Sequence, residues 1–193
     1  MELPNRAITV LASLYDRLDQ AGFEPMLVGG LATFAWGEPR TTRDFDVAVL
    51  LRGRSAETVR AAIAGVGADV SGPFSTDFGP RFIVPFKQGI PVDVFLAGDE
   101  ETEAFRRARR VEVAGKAFRF VSPEDLVLRK VRNAQRFPDE RSQDLADAAG
   151  VLFKQWASFD RDYCERECAR FDVCDALAVL IDEVGDARRK AGR

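Results

Sequence analysis

Residues 28–51 read VGGLATFAWGEPRTTRDFDVAVLL. An apolar run (Met26, Leu27, Val28) stops at the glycine pair Gly29 and Gly30. A short apolar segment and a loop containing Pro39 follow, and then Asp44-Phe45-Asp46 leads into a second apolar run. Side chains alternate across a strand, so Asp44 and Asp46 share one face while Phe45 and Val47 share the other. Two carboxylates at the head of an otherwise buried strand are costly unless paired, hydrated or bound to a metal. That cost marks them as a candidate site, against the plainer reading of turn residues that open a strand.

Working outward, the next acid of this kind is Asp93, alone inside the apolar run Pro91-Val92-Asp93-Val94-Phe95. Two residues along a strand span ~7 Å and a neighbouring strand lies ~4.8 Å away, so an adjacent strand carrying Asp93 would complete a compact trio. Such a trio repels itself unless a divalent cation lies between its members. Oxygen-only ligands suit Mg²⁺ or Mn²⁺, with nucleotide phosphates and waters filling the remaining positions. Two such ions could activate an acceptor hydroxyl and orient a triphosphate for in-line attack. The plainer reading of Asp93 is a structural acid paired with a neighbouring arginine. Gly29 and Gly30 would let phosphate oxygens approach the backbone, with amides at the next helix start as donors. Neither the Walker nor the dinucleotide-binding glycine pattern is present.

Composition narrows the chemistry further. The chain has 193 residues, with 28 Lys and Arg against 31 Asp and Glu, a formal net charge of −3 and no histidine. The length suits one domain, or one with a helical appendage. The charge balance argues against a globally basic nucleic-acid binder. Local basic clusters such as Arg129, Lys130, Arg132 and Arg136 read most simply as solvated helix faces. Without histidine, Ser-His and Cys-His nucleophiles and most zinc sites are excluded. No apolar run approaches a membrane span and the first residues lack a signal-peptide pattern, so a cytoplasmic protein without a membrane partner is expected. Cys164, Cys168 and Cys174 complete no four-ligand metal site and, being odd in number, no closed disulfide framework. Buried packing or a surface thiol is expected of them.

Periodicity predicts a helix over residues 4–21, with Ile8, Leu11, Leu14, Tyr15 and Leu18 on one face. A strand over 25–28, a helix over 31–36, the aspartate strand over 44–51 and a Ser55-capped helix to residue 64 follow. Around Pro73 the chain reads as irregular; residues 81–86 and 90–96 then form a hairpin. A short helix over 100–109 has acids early and bases late, and a second hairpin joins 111–113 to 117–121. Ser122-Pro123-Glu124-Asp125 starts a helix that Pro138 interrupts. One more helix covers 141–156, one or two cover 160–184, and a mobile tail follows Gly185. The expected fold is α+β: a mixed β-sheet flanked by helices over residues 1–121, with a C-terminal helical segment, 122–193, packed on it.

The order hydrophobic-Gly-Gly, loop, Asp-hydrophobic-Asp-hydrophobic, then a later lone Asp on a strand resembles the nucleotidyltransferase superfamily with the DNA polymerase β-like palm. Gly37-Glu38-Pro39-Arg40-Thr41-Thr42-Arg43-Asp44 is similar more particularly to stand-alone bacterial nucleotidyltransferases, which include the AbiEii-type toxins of toxin–antitoxin systems. The stretch Ser122-Pro123-Glu124-Asp125-Leu126, Arg129-Lys130, Arg141 and Asp144-Leu145-Ala146-Asp147 is similar to the same group. The glycine pair stands where many members have Gly-Ser, and Gln143 stands where a lysine often precedes the helix aspartate. The resemblance implies a nucleotidyltransferase fold and transfer of a nucleoside monophosphate from a Mg²⁺- or Mn²⁺-bound NTP. It implies Asp44, Asp46 and Asp93 as catalytic metal ligands, with Asp93 also the base for the acceptor. Gly29 and Gly30 would meet the β,γ-phosphates, Thr42 and Arg43 would flank the site, and Lys130 would neutralise triphosphate charge. Asp144 or Asp147 would position Lys130 or the sugar. The acceptor would be an RNA or tRNA end, a protein hydroxyl or a small molecule, and a cognate antitoxin is a possible partner. The alternative is a non-catalytic nucleotide-binding or antitoxin module of the same fold.

Overall fold

The apolar stripe Ile8, Leu11, Leu14, Tyr15 and Leu18 becomes the buried face of the first helix, α1 (Asn5–Gln20). The computed structural model in which this is seen describes residues 5–38, 42, 44–66, 69–76, 79–85, 91–139 and 142–192. Gly22, with φ of 73°, takes the left-handed turn that ends α1 and leads the chain into β1 (Pro25–Val28). Tyr15 ties α1 to the sheet: its hydroxyl donates to the Pro25 carbonyl at 2.5 Å and accepts from the Arg119 amide at 2.9 Å.

After β1 come α2 (Gly29–Trp36), β2 (Phe45–Leu50) and α3 (Ala56–Ile63). The expected irregular stretch is instead a strand, β3 (Ser71–Phe74). It lies at the edge of the sheet, where proline's missing N–H is tolerated, and a register shift absorbs the Gly72 φ of 112°. β4 (Arg81–Val84) and β5 (Val92–Ala97) are the two arms of the expected hairpin; its loop, 86–90, lies outside the described residues. The helix expected over 100–109 is shorter, a 3-10 turn followed by α4 (Thr102–Arg106). The reason is competition: β6 (Arg109–Val113) draws residues 109 and 110 into antiparallel pairing with β7 (Lys116–Phe120).

Among the described residues, seven strands form one mixed sheet in the order β3-β4-β5-β2-β1-β7-β6. Pairs β2/β5 and β1/β7 are parallel and the rest antiparallel. Phe45, Val47 and Val49 of β2 and Val92, Val94 and Leu96 of β5 are each at most 6 % exposed. The sheet face they form is a dry core, and the intervening residues supply the other face.

Among the described residues, the helices α5 (Pro123–Arg136), α6 (Ser142–Gln155), α7 (Arg161–Phe171) and α8 (Cys174–Lys190) follow. The Ser122 hydroxyl accepts from the Asp125 amide at 3.1 Å, and Pro123 occupies the first turn of α5, as the sequence signals. Tyr163 donates to Asp125 at 2.7 Å, joining α7 to α5. The chain divides into two compact units, Met1–Leu31 with Thr41–Val121, and Ala32–Arg40 with Ser122–Arg193. Within the second unit, Gln155 donates to the Trp36 carbonyl at 2.9 Å, and a Cβ on Gly37 would lie 3.0 Å from Val151 Cγ2.

Two expectations for the last helices are corrected. Cys168 and Cys174 form a disulfide with Cα atoms 4.9 Å apart, leaving Cys164 as a buried thiol. Asp172, at φ 57°, turns the chain back between α7 and α8 and brings the two cysteines into reach; an odd count hides one pair and one remainder. The tail expected after Gly185 is instead helical to Lys190. Gly185 is a packing glycine, since a Cβ there would fall 3.1 Å from the Trp156 ring. Among the described residues no helix is long and apolar enough to cross a membrane.

Candidate active site

The parallel pairing of β2 with β5 sets Asp46 directly opposite Asp93. Asp44 sits in the bend that leads into β2, and each of the three acids offers an oxygen within 4.8 Å of the others'. Asp93 is 8 % exposed; Asp44 and Asp46 are half-buried. Burial pushes the Asp93 carboxyl above its usual value; Arg81 opposes that shift and Asp44 adds to it. Three carboxylates this close, on adjoining backbone segments and without a histidine or thiolate among them, form a donor set for a hard divalent cation.

Gly29 explains why Asp46 fits. Val28 is paired with Asp46, so the next residue passes beside the aspartate side chain. A Cβ on Gly29 would lie 1.8 Å from Asp46 Oδ2, and Gly29 also has φ of 58°, a region L side chains rarely adopt. Gly30 follows it, buried, in the first turn of α2. The Thr42 hydroxyl donates to the Asp44 carbonyl at 2.9 Å and lies 3.4 Å from its carboxylate, which pins the loop end carrying Asp44. Arg43 lies outside the described residues.

The second unit gathers Lys130, Asp144 and Asp147. The Lys130 ammonium on α5 donates to Asp144 Oδ1 and Asp147 Oδ2 on α6, each at 2.7 Å. All three residues are at most 7 % exposed, so none is a solvated helix residue. Asp144 and Asp147 are three apart, on one face of α6, as one lysine needs if it is to reach both. Gln143 donates to the other Asp147 oxygen at 3.2 Å. Asp144 Oδ2 is buried without a hydrogen-bond partner among the described residues.

Comparison with known proteins bears on this arrangement. Residues 7–172 match the family model described as "Nucleotidyl transferase of unknown function (DUF2204)". The chain belongs to this family. Among solved structures, ANT(2")-Ia in complex with adenylyl-2"-tobramycin is similar with a TM-score of 0.58 at 18% identity, over 86% of this chain and 96% of that one. An antigenic nucleotidyltransferase-like protein from Paracoccidioides brasiliensis is similar with a TM-score of 0.58 at 16% identity, over 93% of each chain. At these identities the likeness establishes the fold. No curated protein matches the chain.

In this nucleotidyl transferase, sequence reasoning missed Arg81. Its Nη1 donates to Asp93 Oδ2 at 2.6 Å. The plainer reading of Asp93, an acid paired with arginine, therefore holds together with its place in the cluster. The available signal was weak: an arginine opening an apolar strand, with nothing local to say which strand would lie beside it.

Proposed function

We propose that this nucleotidyl transferase moves a nucleoside monophosphate from an NTP to an acceptor hydroxyl and releases pyrophosphate. The observation that carries the reading is the convergence of Asp44, Asp46 and Asp93 oxygens within 4.8 Å, beside a glycine that makes room for Asp46. Asp44, Asp46 and Asp93 would hold Mg²⁺ or Mn²⁺; when bound, such ions supply charge neutralisation for the triphosphate and lower the pKa of the attacking hydroxyl. The hydroxyl oxygen forms a bond to the α-phosphorus, the bond from that phosphorus to the pyrophosphate oxygen breaks, and Asp93 takes the hydroxyl proton. The first turn of α2, with Gly29 and Gly30, would meet the β,γ-phosphates. Thr42 would flank the site.

Residues 1–121 would carry the chemistry and 122–193 would serve nucleotide charge. A lysine ammonium has three donors; Asp144 and Asp147 take two at Lys130. Lys130 would neutralise triphosphate charge, as the resemblance in sequence implies.

The acceptor is an RNA or tRNA end, a protein hydroxyl or a small molecule. The first follows from the AbiEii-like stretch; the last draws support from ANT(2")-Ia, solved with an adenylylated tobramycin. With an RNA or protein acceptor the chain would act as the toxin of a toxin–antitoxin pair, held by a cognate antitoxin in the cytoplasm. In a reducing compartment Cys168 and Cys174 would be thiols. The deciding experiment incubates the protein with each α-labelled NTP, Mg²⁺ or Mn²⁺, and cell extract. Label entering RNA, protein or a small molecule names the acceptor, whereas divalent-dependent NTP binding without transfer or pyrophosphate release would replace this reading with a non-catalytic binding module.

A further inference from the structure

Arg81 on β4 is paired in register with Phe95 of β5, so Asp93, two residues earlier on β5, is its diagonal neighbour on the same face. The ion pair closes at 2.6 Å, with 33% of the Arg81 side chain and 11% of the Asp93 side chain exposed. The guanidinium carbon also lies 6.0 Å from the Phe95 ring centre. Arg81 Nε is buried without a hydrogen-bond partner among the described residues, a penalty the ion pair must outweigh.

We propose that Arg81 is the positioning residue of the acidic cluster: it grips one oxygen of Asp93 so that the other is held in a fixed direction for the cation and the acceptor proton. The inference rests on the nucleotidyl-transfer reading above. Three carboxylates within 4.8 Å of one another repel, and each can relieve the repulsion by rotating away. An arginine on the neighbouring strand opposes that rotation at Asp93 in two ways. Its positive charge offsets part of the repulsion, and its Nη1 hydrogen bond ties Oδ2 to β4, so the carboxylate cannot rotate without breaking it. Asp46 fits because Gly29 carries no Cβ, and Thr42 pins the loop end at Asp44. Arg81 supplies the restraint for Asp93, the most buried of the three acids.

The test uses the full chain and needs no knowledge of the acceptor. Water stands in for it: α-labelled NTP is cleaved to NMP and pyrophosphate, and Mn²⁺ binding to the NTP-free protein is titrated by the electron-spin signal of the free ion. For Arg81→Gln the expected result is a loss in kcat and in Mn²⁺ affinity of about 10–100-fold, as for other groups that orient metal ligands. The KM for NTP should stay within about twofold, because a residue that acts only through Asp93 does not touch the triphosphate. Arg81→Lys should recover part of the loss, charge being restored on a shorter side chain without the planar guanidinium. Wild-type rate and affinity in Arg81→Gln, or tighter Mn²⁺ binding from removal of a positive charge, would overturn the proposal. If Arg81→Gln does not fold, Arg81→Lys decides by the same two readings: reduced values support the proposal and wild-type values refute it. A wild-type protein that neither binds Mn²⁺ nor releases pyrophosphate removes the transfer reading itself, a result distinct from any difference between variants.

Discussion

Gly29 is the residue on which the site's geometry depends most directly. Gly29→Ala places a Cβ where Asp46 Oδ2 now sits, 1.8 Å away, and imposes a left-handed conformation on alanine. The backbone penalty alone is about 1–3 kcal/mol, and relief of the clash requires Asp46 to leave. Mn²⁺ titration should therefore show binding lost in a protein that still melts cooperatively; retained affinity would mean Asp46 is not a ligand. Asp46→Asn should abolish pyrophosphate release with little change in melting, since it removes a charge without changing shape. Lys130 behaves otherwise. Because it is buried and bonded to both Asp144 and Asp147, Lys130→Met removes an ion-pair partner from each and should cost about 3–5 kcal/mol in urea unfolding. A surface lysine would cost almost nothing. The trio Asp44, Asp46 and Asp93 was legible because acids interrupt apolar strands; Arg81 was not, because its partner depends on β4 lying next to β5.

At the scale of elements, two ties hold segments that periodicity alone would leave independent. Glu24, just ahead of β1, pairs with Arg52 in the turn after β2 and with Arg119 of β7 at 2.8 Å. The hydrogen bond from Arg119 lowers its carboxyl below the usual 4.5. A lowered folded value means the stabilisation is present above the ordinary value and is lost as the pH falls through the lowered one. With 39% of the Glu24 side chain exposed, solvent screening keeps the contribution to about 1 kcal/mol or less. Glu24→Gln should therefore lower stability modestly at neutral pH and converge on wild type in acid, which melting curves across pH would check. The second tie is the Cys168–Cys174 disulfide between α7 and α8. Chain entropy for a loop this short gives about 2 kcal/mol, so Cys174→Ser should lower the denaturant midpoint by a corresponding amount, and an unchanged midpoint would mean the bridge is dispensable. Helix and strand positions were legible from spacing, cap residues and glycine turns. β3 and the disulfide were not, because both depend on where the chain returns in space.

For the whole molecule, the division into units makes a statement about cutting the chain. Residues Ala32–Arg40 group with Ser122–Arg193, and Gly37 and Trp36 meet α6 through Val151 and Gln155. A fragment of residues 122–193 lacks that packing. It should unfold with a broader, lower transition than the intact chain shows; a sharp transition at the intact midpoint would mean residues 32–38 are passengers. The sequence by itself determined the α+β order, the helix starts and the acids at the head of β2 and inside β5. Those features follow from local rules: side-chain alternation, capping and the penalty for charge in an apolar strand act over a few residues. Only the tertiary structure decided that Asp93 lies opposite Asp46, that Arg81 restrains Asp93, that Lys130 is clamped rather than solvated and that two of three cysteines join. Each of these depends on which distant segments become neighbours. That choice is made by burial summed over the whole sheet and helix set, and no short window of sequence contains it.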